Sequence, residues 1–212
     1  MQKINILPKN YRFLFFGAGA LLVFLVMLFL EVKQVFVALD PAITKLFQTF
    51  FPTRSLDTLL SFFSLLGSFE IITLGVVAIA LWVFRRQKKI FYSLVFFGGI
   101  LMFEFMGKLF LYHPGPPSDF FRYSIPFAFP TSYVHTNYSF PSGHVSRTIF
   151  LAIVSVFVLR RWWASLMATV FSLVMVFSRI YLGEHWASDT LGGIFLGLAM
   201  GFFTLSYYEQ RN

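Results

Sequence analysis

Two histidines in the C-terminal half of the chain lie in patterns that could support phosphoryl transfer. His185 is followed four residues later by Asp189, so the two side chains share a face if this segment is helical. A carboxylate on one ring nitrogen fixes the tautomer of an imidazole and makes the other nitrogen more nucleophilic. His144 could then protonate a leaving alkoxide. The pattern predicts a catalytic set with His185 as nucleophile, Asp189 as its partner and His144 as acid.

Cationic and helix-start residues near these histidines would suit a phosphoryl group. Lys108 and Arg179 can supply positive charge, and the Arg179 guanidinium can do so in bidentate form. Ser142 and Gly143 come at the start of a predicted helix, where free backbone N–H groups and the helix dipole favour an anion. We therefore expect these four residues to bind the phosphate.

The spacing of these residues resembles the signatures of the type 2 phosphatidic acid phosphatase superfamily. Residues 141–144 match its Pro-Ser-Gly-His signature, and residues 178–189 match its Ser-Arg-x5-His-x3-Asp signature. The resemblance covers about residues 104–195 at the level of motifs. It implies metal-independent hydrolysis through a phosphohistidine, with the roles given above for the two histidines and the aspartate.

The first signature of that family is incomplete in this chain. It normally reads Lys-x6-Arg-Pro, whereas Gly115 stands at the arginine position after Lys108. Arg147, one helical turn beyond His144, is the first candidate to replace the missing cation, and Arg122 is the second. The third alternative is no replacement, with weaker phosphate binding or altered substrate choice. A lost charge-assisted contact typically costs about 1.5–3 kcal/mol.

Other ionisable residues near the motifs have simpler interpretations. Glu104 lies one turn before Lys108, and it could pair with that lysine or serve packing. His113 and His135 are interpreted as loop residues, and Glu184 as a loop charge. A histidine-based metal site would need three or four convergent ligands. We predict no metal and no cofactor.

The composition is that of a membrane protein. The chain has 212 residues, of which 58% are hydrophobic and only 12% charged, and its mean hydropathy is +0.74. Several continuous apolar runs approach the length that crosses a bilayer core of about 30 Å. We predict an all-α, polytopic protein in which residues 1–212 form one domain. The absence of cysteine excludes disulfides and thiolate metal sites.

We predict six transmembrane helices. They cover residues 13–30, a second stretch that starts between 57 and 68 and ends at 84, then 90–112, 144–158, 163–182 and 189–207. After the first span, Asp40 would cap a short helix and Pro41 would take its first position. The apolar stripe that follows predicts that this helix lies in the outer membrane interface.

The net charge of +8 is distributed unevenly across the predicted spans. Ten of the 17 Lys and Arg residues fall in the inner segments and four in the outer connections, which favours an N-in, C-in orientation. The charge therefore needs no nucleic-acid partner. Ionisable residues at membrane depth usually mark function. Here they meet at the outer rim, where a lipid headgroup would lie.

These patterns favour a phosphatase in the cell membrane, with its active site on the extracytoplasmic side and a membrane lipid as substrate. Candidate substrates are phosphatidic acid, phosphatidylglycerol phosphate and a polyprenyl diphosphate such as undecaprenyl diphosphate. One alternative is a phosphotransferase of the same fold that passes the phosphoryl group to a lipid or sugar. A second is a degenerate, non-enzymatic lipid-binding member, for which Gly115 is the support.

Overall fold

The computed structural model describes residues 10–84, 91–127, 129 and 137–208. These residues form helices and connecting loops without any β-strand, as the all-α prediction requires. The helices are α1 (Tyr11–Val32), α2 (Leu39–Phe50), α3 (Arg54–Leu66), α4 (Phe69–Phe84), α5 (Phe91–Phe110), α6 (Gly143–Leu159), α7 (Trp162–Tyr181) and α8 (Ala187–Tyr207). A 3-10 turn, Ser118–Phe120, interrupts the long loop between α5 and α6.

Four of these helices, α1, α5, α7 and α8, are each long and apolar enough to cross a membrane. The α3–α4 pair passes the same test when taken together, which gives up to five spans by length and composition. Helix α6 is apolar but has only 17 residues. The protein is therefore a multi-pass membrane protein, and length alone supports four or five spans within the described part of the chain.

The predicted second span is broken into two helices. α3 and α4 meet at Gly67 and Ser68 with a bend of 46°. The break lies against His144, because a Cβ atom at Gly67 would be 2.4 Å from Cε of Met175 and 3.2 Å from Cδ2 of His144. Glycine thus lets this end of α3 lie close to both side chains.

The predicted helix after the first span is present as α2, but the predicted cap is wrong. Ala38 is the N-cap residue, and Asp40 lies inside the first turn. The Asp40 carboxylate instead accepts hydrogen bonds from Ser188, at 3.0 Å from its backbone N and 2.6 Å from its Oγ. Asp40 therefore caps the N-terminus of α8 rather than its own helix, because that buried end has free N–H groups to satisfy. Pro41 is tolerated within the first turn because a residue there has no intrahelical acceptor for its backbone N–H, so the missing N–H of proline costs no helix hydrogen bond.

Helix α8 is the most buried of the spanning helices and packs against α1, α5 and α6. Its face toward α6 carries Gly193, Gly197 and Gly201, each one turn after the last. A Cβ atom at Gly193 would lie 2.6 Å from the carbonyl oxygen of Ser142, and one at Gly197 would lie 2.5 Å from that of Ser146. Small residues allow such close helix contacts in membranes. The N-terminal ends of α6 and α8 are consequently held side by side.

Candidate active site

The candidate site lies where α6 and α8 begin, and where α5 and α7 end. The backbone N of Ser142 donates a 3.0 Å hydrogen bond to the carbonyl oxygen of Asp189, which joins the two motif segments directly. His144 lies within electrostatic range of Lys108, Arg179 and His185. The structure thus brings together the motif residues that are far apart in sequence.

His185 and Asp189 form the predicted pair, and both are buried. Nδ1 of His185 lies 3.3 Å from Oδ2 of Asp189 and 3.0 Å from Oγ of Ser139. Asp189 Oδ2 also accepts a 2.5 Å hydrogen bond from Ser139 and a 3.0 Å bond from the backbone N of Trp186. Because Nδ1 is engaged, Nε2 is the ring nitrogen of His185 with a free lone pair.

Burial and nearby cations keep His185 uncharged. Burial lowers its pKa to about 4, despite the opposing hydrogen bond that His185 makes to Asp189, and the charge of Arg179 adds to the lowering. At neutral pH the imidazole is therefore neutral, as a nucleophile must be.

Arg179 is completely buried at the end of α7. Its Nη1 donates to Oγ of Ser64 and, at 2.5 Å, to Oε2 of Glu184. Its Nε and Nη2 have no hydrogen-bond partner among the described residues. Burial raises the pKa of Glu184, although the neighbouring arginine opposes this. Glu184, interpreted from the sequence as a loop charge, is thus the residue that holds Arg179.

Several further buried polar atoms near Arg179 have no partner within the part of the chain that the structure describes. They are Oγ of Ser142, Nε2 of His144 and Nε of Arg147. A buried polar group left without a hydrogen bond costs about 1–3 kcal/mol, so such groups call for an explanation. A bound anion with several oxygen acceptors would satisfy the arginine donors, the serine hydroxyl and a protonated imidazole together.

The cations predicted to contact phosphate differ in their surroundings. Lys108 is half-buried at the end of α5 and has no ion-pair partner among the described residues. Arg147 is buried and donates Nη1 to Oε2 of Glu104 at 2.8 Å. Glu104 also accepts a 2.7 Å bond from Oγ of Ser146. Glu104 therefore pairs with Arg147, not with the lysine one turn away on its own helix.

Arg122, the second candidate to replace the missing cation, is tied into the outer loop. Its Nε lies 3.0 Å from Oδ1 of Asp57, and its guanidinium carbon lies 5.0 Å from the centre of the Tyr181 ring. That Arg147 or Arg122 takes over the role of the arginine missing at position 115 remains a prediction.

Sequence reasoning missed a second group of buried residues behind the nucleophile. His113, interpreted as a loop residue, is buried between Glu31 and Asp189. Backbone hydrogen bonds from His113 N to Asn137 and from Ser139 N to His113 place His113 and Ser139 side by side. The available signal was Glu31, a carboxylate in an apolar span. The other histidine of this loop, residue 135, lies outside the described residues.

A family model described as the PAP2 superfamily matches residues 105–212, just over half of the chain. The chain belongs to the PAP2 superfamily. Undecaprenyl-diphosphatase BcrC of Bacillus subtilis is 25% identical over 157 residues, covering 73% of this chain and 76% of that protein. An undecaprenyl-diphosphatase of Sulfolobus acidocaldarius is 28% identical over 157 residues, covering 71% of this chain and 70% of that protein.

The fold is also similar to a solved structure. The crystal structure of a transmembrane PAP2-type phosphatidylglycerolphosphate phosphatase from Bacillus subtilis matches with a TM-score of 0.70 and 23% identity, covering 90% of this chain and 94% of that chain. These matches confirm the predicted family and the prediction that the protein is a membrane lipid phosphatase.

Proposed function

We propose that this phosphatase acts through a phosphohistidine on His185 and releases phosphate from a lipid mono- or diphosphate. The observation that carries the proposal is the combination of two buried features in one place. A neutral His185 is oriented by Asp189, and beside it Arg179, Ser142 and His144 present polar atoms that have no partner among the described residues. One group supplies a nucleophile, and the other supplies ligands for phosphoryl oxygens.

In the first step, the lone pair of His185 Nε2 attacks phosphorus and the bond from phosphorus to the lipid oxygen breaks. Arg179, Lys108 and the backbone N–H groups at the start of α6 bind the phosphoryl oxygens, where charge develops in the transition state. His144, as the imidazolium, donates its Nε2 proton to the leaving oxygen and becomes neutral. One such proton transfer contributes roughly 10²–10⁴-fold to the rate.

In the second step, water attacks phosphorus and the phosphorus–nitrogen bond breaks. His144, now neutral, accepts a proton from that water, by the reverse of its first action. Inorganic phosphate leaves, and His185 regains its lone pair. Throughout both steps Asp189 accepts the Nδ1–H of His185 and stabilises the positive ring of the intermediate.

We place the site at the extracytoplasmic face of a six-span, N-in, C-in domain formed by residues 1–212. The distribution of Lys and Arg supports this orientation. The span that would bring the count from five to six is α6, whose 17 residues are short for a lipid-facing helix. Its first two turns are buried and rich in polar residues, so it lies inside the bundle and need not match the full bilayer thickness.

Undecaprenyl diphosphate is our first candidate substrate in a plasma membrane. Two relatives that align with more than two thirds of the chain are undecaprenyl-diphosphatases by name. The similar crystal structure is that of a phosphatidylglycerolphosphate phosphatase, which keeps that lipid as the second candidate and phosphatidic acid as the third.

The test is a phosphate-release assay on the purified protein in detergent with each of the three lipids, with and without EDTA. We expect release in both conditions and none from His185→Ala. Undiminished release by His185→Ala would contradict the nucleophile, and loss of activity in EDTA would contradict metal-independent hydrolysis. Labelled phosphate that appears on a lipid or sugar acceptor, rather than as free phosphate, would identify a phosphotransferase instead.

A further inference from the structure

His113 lies between two buried carboxylates on the side of Asp189 opposite the proposed nucleophile. Its Nδ1 is 3.1 Å from Oε2 of Glu31, and its Nε2 is 3.3 Å from Oδ1 of Asp189. Asp189 in turn contacts Nδ1 of His185 through its other oxygen. The four side chains form a continuous row in which the least buried, His113, is 7% exposed.

The two ion-pair distances of His113 favour a particular protonation state. A neutral imidazole carries one N–H, so one of its lone pairs would face a carboxylate at close range. Only the imidazolium presents a proton to both Glu31 and Asp189. Burial lowers the pKa of His113, but Asp189 and Glu31, with a smaller effect from Asp40, outweigh burial and raise this pKa above its ordinary value.

The position of Asp189 depends on groups at both of its carboxylate oxygens. Oδ2 faces Ser139, the backbone N of Trp186 and His185, whereas His113 is the cation near Oδ1. Without His113, no cation among the described residues would lie beside Oδ1. A buried carboxylate without a compensating charge has a raised pKa and tends to become protonated. A protonated Asp189 would no longer accept the Nδ1–H of His185.

We propose that His113, held by Glu31, is a positively charged positioning residue that fixes Asp189 and through it the orientation of His185. The inference rests on the function proposed above. Glu31 comes from α1, outside residues 105–212 that match the family model, so the first helix takes part in the site. His113 touches neither substrate nor reacting atoms.

A bound divalent cation is the competing explanation for the same cluster. Ligand atoms of Glu31, Asp40 and His113 all lie within 4.8 Å of one another. However, both oxygens of Asp40 already accept hydrogen bonds from Ser188, and Nδ1 of His113 is at ion-pair distance from Glu31. Ser188 and His113 thus already face these carboxylates, which favours the imidazolium over a metal ion.

The experiment compares wild type with His113→Gln, His113→Lys and Glu31→Gln in the phosphate-release assay. Loss of an outer partner of a catalytic group typically lowers activity about 10–100-fold. We expect His113→Gln to lose kcat in that range with KM nearly unchanged, and His113→Lys to recover part of the loss because it restores the charge. Glu31→Gln should also lower kcat. Tyr112→Phe, the exposed neighbour of His113, is the matched control and should leave kcat unchanged.

A direct measurement separates positioning from general loss of structure. In the ¹⁵N-labelled protein, both ring nitrogens of His113, assigned by their absence from His113→Gln, should carry protons at neutral pH. A single protonated nitrogen, or wild-type kcat in His113→Gln, would overturn the inference. So would activity that EDTA removes and added Mg²⁺ or Zn²⁺ restores. If wild type itself releases no phosphate, or His185→Ala still does, the proposed function fails first, and the NMR result still decides the charge of His113.

Discussion

At the scale of single residues, most charged side chains of the site are paired with one another, while several of their polar atoms have no partner among the described residues. Arg179 is held by Glu184, Arg147 by Glu104, and Asp189 by donors at Oδ2 and by the nearby His113 at Oδ1. Lys108 is the exception, since it has no ion-pair partner among the residues that the structure describes. These pairings decide which cations remain free to bind a phosphate.

Ser139 should be a positioning residue for the nucleophile. Its hydroxyl contacts Nδ1 of His185 at 3.0 Å and Oδ2 of Asp189 at 2.5 Å. A hydrogen bond to a charged group contributes about 1.5–3 kcal/mol, so Ser139→Ala should lower kcat at least about tenfold. Steady-state kinetics would measure the loss. Ser206→Ala removes another buried hydroxyl, which among the described residues bonds to Phe203 of its own helix, and should change kcat little. Equal kinetics in the two variants would contradict the role of Ser139.

Arg147 should affect phosphate binding only if it contributes charge beyond its pair with Glu104. Arg147→Gln alone leaves a buried carboxylate unpaired, which typically costs about 3–5 kcal/mol of stability. The double variant Glu104→Gln/Arg147→Gln removes both charges and should melt closer to wild type. If Arg147 replaces the missing arginine at Gly115, KM should rise in the double variant as well. A normal KM in a stable double variant would reject that replacement.

The pH dependence should reflect the buried, neutral state of His185. Its pKa is lowered to about 4, so the free imidazole stays uncharged well below the ordinary histidine pKa. As pH falls, kcat/KM should therefore persist through pH 6 and decline only as the pH approaches about 4. The profile of kcat/KM against pH, corrected for the ionisation of the substrate, measures this limb. An acid limb centred near 6.5 would show that His185 is not shielded in this way.

At the scale of helices, the stripe of glycines on α8 sets the distance between the two histidines. His144 lies in the first turn of α6 and His185 precedes α8, so any separation of these helices moves the proposed acid and the proposed nucleophile apart. The bend at Gly67 adds a second constraint, because it lets α3 and α4 pack against the ring of His144.

Replacing Gly197 should disturb both packing and catalysis. A Cβ atom there would lie 2.5 Å from the carbonyl oxygen of Ser146, so α6 has to move away. Misplacement of reacting groups by about 1 Å can cost about 10²-fold in rate. Gly197→Ala should lower the melting temperature and kcat, whereas Gly98→Ala, where nothing lies within 4 Å, should change neither. A wild-type melting temperature and kcat in Gly197→Ala would show that α6 and α8 are not held by this contact.

At the scale of the whole molecule, the orientation in the membrane decides which leaflet supplies the substrate. The chain contains no cysteine, so single cysteines can be introduced as unambiguous markers. Tyr11, at the start of α1, and Ser118, in the loop after α5, are both exposed.

In spheroplasts, a membrane-impermeant maleimide should label Ser118→Cys directly and Tyr11→Cys only after the membrane is permeabilised. This result follows from the excess of Lys and Arg in the predicted inner segments. Labelling is read on a gel with a fluorescent reagent, and the cysteine-free wild type is the blank. The reverse pattern would contradict the N-in orientation and place the active site in the cytoplasm.

The sequence alone determined the reaction class and most of the helices. Hydrophobic runs identify spanning segments because each backbone polar group in a bilayer must be satisfied within its own helix. The predicted spans at 13–30, 90–112, 144–158, 163–182 and 189–207 coincide with α1, α5, α6, α7 and α8 to within three residues at each end. The motif spacing of His144, Arg179, His185 and Asp189 predicted the family, which the family match confirms, whereas the role of each side chain stays a prediction.

Only the tertiary structure decided which partner each charge has. From local spacing, Glu104 could pair with Lys108, and Asp40 was predicted to cap its own helix. In the structure, Glu104 pairs with Arg147, and Asp40 accepts from Ser188 of α8. The broken second span and the burial of His113 beside Glu31 also depend on contacts between segments far apart in sequence. A buried charge takes whichever partner the fold brings within reach, and that choice is a property of packing rather than of local pattern.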